Sequence, residues 1–125
     1  VITGRVTADR EAVIPIQVQA AERGLQSFDA VIDTGFTEFL ALPPDCIAAL
    51  RLPLAGLQRM TLADGSVAVL AVHEAVVHWH DAPVAVQALE IDGGALLGMA
   101  MLQGSRLTVD ALEGGPARID AIVAP

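Results

Sequence analysis

Lysine and asparagine are absent from this chain of 125 residues, and cysteine occurs once. All basic charge comes from seven arginines, Arg5, Arg10, Arg23, Arg51, Arg59, Arg106 and Arg118, against 15 acidic residues, for a net −8. Aromatics make up only 3%. Nucleic-acid binding needs a basic face with stacking rings, and neither is present, so no nucleic-acid partner is expected. Polybasic membrane anchoring is set aside for the same reason. Lone Cys46 cannot close an internal disulfide, which argues against a disulfide-stapled secreted scaffold. No uncharged apolar run approaches a membrane span, since residues 67–77 are interrupted by His73 and Glu74. No basic-then-apolar leader opens the sequence, so a reducing, cytoplasmic setting without membrane contact is the expectation.

What is abundant is small and β-branched apolar residues in short runs. Hydrophobic residues reach 54%, which excludes disorder. No linker, composition shift or internal repeat divides residues 1–125, so one domain is expected. Strands are predicted over residues 4–8, 12–20 and 27–33, the last with Ala30-Val31-Ile32 buried on both faces. A short helix is predicted over 44–50, opened by Pro44 with Asp45 in its first turn and closed before Pro53. Residues 59–62 and 66–72 flank Ala63-Asp64-Gly65, and Asp-Gly between alternating runs is a strong hairpin signal. Further strands are expected at 75–79 and 84–89, joined by Asp81-Ala82-Pro83, and at 106–112 and 118–123. A helical turn fits within 96–103. Eight or nine short strands with one or two short helices predict an all-β, closed or nearly closed barrel.

The sharpest local feature is Asp33-Thr34-Gly35. A strand leading into it delivers a carboxylate to a loop where backbone amides can hold it, and glycine lets another group approach. Read alone, the tripeptide is also an ordinary turn.

Together with two later segments, this loop resembles the single-domain, retropepsin-like aspartic proteases of the pepsin–retropepsin clan. Ala30-Val31-Ile32-Asp33-Thr34-Gly35 is similar to that family's catalytic loop after its strand. The Asp64-Gly65 hairpin falls where the family carries its flap. Leu96-Leu97-Gly98-Met99 is similar to the apolar-apolar-Gly segment packed behind the active site. The resemblance implies an endopeptidase that needs no metal and no cofactor, with Asp33, Thr34 and Gly35 as catalytic residues. It implies that Ala63, Asp64 and Gly65 close over a bound peptide or protein substrate. The chain holds one Asp-Thr-Gly and the mechanism needs two carboxylates, so the resemblance implies a homodimer with a two-fold axis between two copies of Asp33. The apolar 119–123 tail is the candidate for an intersubunit sheet. Retroviral relatives continue after the glycine with a small residue and an aspartate, where this chain has Phe36-Thr37-Glu38. They often carry a dimer-supporting arginine where this chain has Met99. The likeness is therefore to the cellular and bacterial branch.

Other residues invite other chemistry. His78 and His80 would share a strand face, but His73 falls at odd spacing, so the three are read as exposed strand histidines and not as metal ligands. Asp45 beside Cys46 would raise the thiol pKa, which favours a small buried hydrophobe over a nucleophile. Two non-protease readings stay open: a non-catalytic dimerisation or peptide-binding module on the same barrel, and an unrelated small barrel in which Asp33 only makes a turn.

Overall fold

The computed structural model describes residues 1–123. Its elements run β1 (Ile2–Val6), β2 (Ala12–Ala20), β3 (Gly24–Ile32), β4 (Leu40–Leu42), α1 (Pro44–Leu50), β5 (Leu54–Thr61) and β6 (Val67–Trp79). There follow β7 (Ala82–Glu90), β8 (Leu96–Leu97), α2 (Met99–Leu102), β9 (Ser105–Val109) and β10 (Pro116–Ala121). The strands form one sheet in the order β5-β6-β7-β4-β8-β3-β2-β1-β10-β9. A second pairing of β6 with β2 closes β2, β3, β8, β4, β7 and β6 into a ring. Closure rests on two residue pairs, Gln17 with His78 and Val18 with Val77. The fold is thus mostly β with two short helices, built round a ring of six unequal strands in which β4 and β8 are very short.

Alternation in β2 explains why the ring has an inside. Ile14, Ile16, Val18 and Ala20 are buried while Pro15, Gln17 and Gln19 face out. They meet Leu40 and Leu42 of β4, Val77 of β6, Val86 and Ala88 of β7, and Leu97 of β8 in one apolar cluster. Burying each large aliphatic side chain contributes about 1.5–3 kcal/mol. Pro15 survives in mid-strand because β2 is covered at 12–13 by β1 and at 17–18 by β6, leaving a gap at 15 on that edge.

Several expectations need correction. Residues 66–72 and 75–79 are not two strands but parts of the single 13-residue β6. The connection to β7 is His80-Asp81, both at positive φ (49° and 64°), so Ala82 and Pro83 already belong to the strand. That is the left-handed pair a tight two-residue hairpin demands. In β3 only Ala30 is buried; Val31 and Ile32 are half-buried. Of the 119–123 tail, Ile119 is taken up inside the chain: it is fully buried in β10, which pairs with β1 on one side and β9 on the other, while Ala121, Ile122 and Val123 are exposed.

His73 is not an exposed strand histidine. It is buried, with Nδ1 3.2 Å from the Leu52 carbonyl oxygen and Nε2 3.2 Å from Glu90 Oε1. The ring ties the chain after α1 to the end of β7, at the foot of the β5–β6 hairpin. His73→Phe is expected to lower stability by about 1–2 kcal/mol, because the space is filled but both polar contacts go. A urea midpoint equal to that of the parent chain would show that these contacts contribute nothing.

Candidate active site

β3 ends at Ile32 and hands the chain to an irregular loop, residues 33–39. β3 runs parallel to β8 there, with Val31 opposite Leu96 and Ile32 opposite Leu97. The ladder continues past the strand end, where the Asp33 amide donates to the Leu97 carbonyl at 2.9 Å. The loop then curls on itself. The Phe36 amide donates to the Asp33 carbonyl at 3.1 Å, and the Gly35 amide donates to Asp33 Oδ1 at 3.0 Å. A carboxylate that accepts from a main-chain N–H two residues on is held in one orientation.

The segment 96–100 fastens this loop from behind. The Gly98 amide donates to the Phe39 carbonyl (3.0 Å), the Met99 amide to that of Phe36 (2.8 Å) and the Ala100 amide to that of Glu38 (3.3 Å). Contact this close needs glycine. A Cβ on Gly98 would strike the Glu38 carbonyl oxygen and stand 2.7 Å from the Phe36 ring. Asp33 is half-buried, while Thr34 and Gly35 are exposed. Among the described residues no cation pairs with Asp33. Structure therefore places Asp33, Thr34 and Gly35 together on a rigid loop that opens to solvent.

Ala63, Asp64 and Gly65 lie apart from that loop, at the tip of the β5–β6 hairpin. The Leu62 amide donates to the Ser66 carbonyl at 2.8 Å, and Gly65 takes the left-handed conformation (φ 86°) that closes the turn. Asp64 Oδ1 accepts from the Ser66 hydroxyl (2.5 Å) and the Ser66 amide (2.8 Å), which hold its carboxyl below the ordinary aspartate range. All three residues are exposed.

No family model matches the sequence, and no curated protein matches it. Among solved structures, the crystal structure of a retropepsin-like aspartic protease from Rickettsia conorii matches with a TM-score of 0.59. The match covers 95% of this chain and 90% of that one at 16% identity. The fold is that of a retropepsin-like aspartic protease. Within this retropepsin-like fold, residues 33–35 follow an inner strand, residues 63–65 crown a hairpin, and residues 96–99 lock the first loop from behind.

Remaining candidates for chemistry stand elsewhere in the retropepsin-like fold. Among the described residues, no group of three or more His, Cys, Asp or Glu side chains could hold a metal ion. His80 Nε2 is 2.8 Å from the Ser105 hydroxyl, and His73 is committed as above. Burial, and secondarily the Asp45 carboxylate, push the Cys46 thiol up, as a packed hydrophobe should show and a nucleophile should not. A concavity of about 400 Å³ lies beside Gln17, Ser27, His78 and Asp81, and another of about 540 Å³ beside Val6, Arg10 and Leu112; residues 33–39 line neither. No helix of the described residues is long and apolar enough to cross a membrane. Sequence reading missed Glu38 and Gln58, whose side chains meet at 3.1 Å between the loop and the hairpin. They lie 20 residues apart, and no local pattern announces a contact at that range.

Proposed function

We propose that this chain is an aspartic endopeptidase that works as a homodimer, hydrolysing peptide bonds between two copies of Asp33. The observation that carries this reading is the Asp33 loop: a carboxylate oriented by the Gly35 amide, anchored at Leu97, and bare at Thr34 and Gly35. A lone carboxylate on an open surface cannot act as acid and base together. Two that face each other can. They share one proton, because two carboxylates at contact distance cannot both ionise cheaply. The ionised one takes a proton from a water, and the protonated one donates to the scissile carbonyl as the water adds. The same pair then returns a proton to the leaving amine.

Exposed Thr34 and Gly35 are the natural residues to meet their twins across the two-fold axis. Met99 is 47% exposed and its amide is bonded to the loop, so it offers an apolar rim to the same contact. The hairpin tip at Ala63, Asp64 and Gly65 acts as the flap, covering a bound peptide and excluding water. The chemistry calls for no metal or cofactor.

The test is the dependence of cleavage rate on chain concentration, followed beside sedimentation. Activity per chain is expected to rise with the dimer fraction and level off once dimerisation is complete. Constant activity per chain, down to concentrations where only monomers sediment, would overturn the proposal. So would a stable dimer that binds peptides and cuts none.

A further inference from the structure

β5 is the terminal strand of the sheet and is paired on one side only, with β6. Its register slips between Leu54 and Gly56, so the hairpin springs from an irregular foot. Beyond that foot, Leu57, Arg59 and Thr61 are exposed, while Gln58 and Met60 on the opposite face are half-buried. The hairpin thus presents its Gln58 face to the body of the chain. Among the described residues, one side-chain hydrogen bond joins it to loop 33–39: Gln58 Nε2 donates to Glu38 Oε1 at 3.1 Å.

Glu38 is well placed to be the fixed end of that bond. Its carbonyl accepts from Ala100 at the start of α2, and the adjoining Phe39 carbonyl accepts from Gly98. The side chain is half-buried, and a hydrogen bond to a carboxylate out of bulk water is stronger than one between neutral groups. The moving end, Gln58, lies on the strand that rises to the tip.

We propose that Glu38 and Gln58 form a latch that sets the height of the hairpin over Asp33, which makes them positioning residues for peptide binding. The binding role rests on the reading of Asp33 as half of a catalytic pair; the latch itself does not. With the bond made, the hairpin stands close to its covering position before a peptide arrives, so less ordering remains to be done on binding. With the bond broken, the far half of β5 keeps its β6 ladder but, among the described residues, has no side-chain hydrogen bond to loop 33–39.

Hydrogen exchange and cleavage kinetics of the dimeric protein test this together, using Gln58→Ala and Glu38→Gln. Gln58→Ala is expected to speed amide exchange over residues 57–68 about tenfold, as loss of one charge-assisted bond implies, with β2 and β4 unchanged. It should raise KM for a peptide that the parent chain cleaves by about fivefold with kcat within about twofold, the signature of weakened binding and not of lost chemistry. Glu38→Gln keeps an oxygen for Gln58 to donate to, and should stay within about threefold of the parent in both readouts. Hairpin exchange unchanged in Gln58→Ala would overturn the latch, whether or not the protein cleaves anything. Faster hairpin exchange with KM unchanged would overturn its role in peptide binding. If the parent chain cleaves no peptide, the reading of Asp33 fails, and the exchange result still decides the latch.

Discussion

Asp33→Asn is expected to remove peptide hydrolysis, lowering kcat by about 10³-fold or more, while fold and dimer mass stay as they were. Position 33 tolerates the change structurally, because an asparagine oxygen can still accept from the Gly35 amide as Asp33 Oδ1 does at 3.0 Å. Its main-chain bonds to Leu97 and Phe36 do not involve the side chain. What the amide cannot do is take a proton from water or share one with a partner carboxylate. The effect should also spread to normal chains. Adding an excess of Asp33→Asn protein to the parent chain should suppress activity in proportion to mixed dimer formation, since each mixed pair holds one carboxylate. Rates are read from peptide cleavage, and dimer mass from sedimentation. A variant that keeps a tenth of the parent rate, or a mixture whose activity is simply that of its parent component, would count against the shared site.

Gly98→Ala should be nearly as damaging, for a different reason. An added methyl has no room between the Glu38 carbonyl and the Phe36 ring, so loop 33–39 and segment 96–100 must part. Overpacking that forces backbone apart costs about 3 kcal/mol, or roughly 10 °C in thermal midpoint for a chain of this size. Parting them also strains the bonds that Gly98 and Met99 donate to Phe39 and Phe36, so activity should fall further than stability alone explains. Gly94→Ala is the control, because nothing lies within 4 Å of a Cβ there and its φ is not in the left-handed range. It should shift stability by no more than about 0.5 kcal/mol. Urea unfolding of both variants decides the matter, and equal midpoints would refute the packing argument.

Features governed by nearby residues were legible in the sequence. Paired prolines ending at Pro44, with Asp45 behind them, marked α1 to the residue. The Asp64-Gly65 turn marked the hairpin, and alternation marked β2 from Ala12 to Ala20. Asp33-Thr34-Gly35 stood out because a strand led into it. Features governed by distant residues were not legible. β6 looked broken at His73 and Glu74 because polar residues interrupt its apolar run. In the fold His73 finds two buried partners, Glu74 faces solvent, and its amide bonds to the Pro53 carbonyl. Ile119 looked free for a second chain because nothing local shows that Ile2 and Leu107 flank it. Ring closure through Gln17 and His78 joins strands some sixty residues apart, and such pairing leaves no trace in either segment alone.

The proposal stands on two half-sites meeting, and a crystal structure of the dimer that cleaves peptide tests it most directly. The account predicts a two-fold axis passing between the Asp33 loops, with the two carboxylates about 3 Å apart. An active assembly in which the Asp33 side chains lie well beyond hydrogen-bonding reach of each other would contradict it.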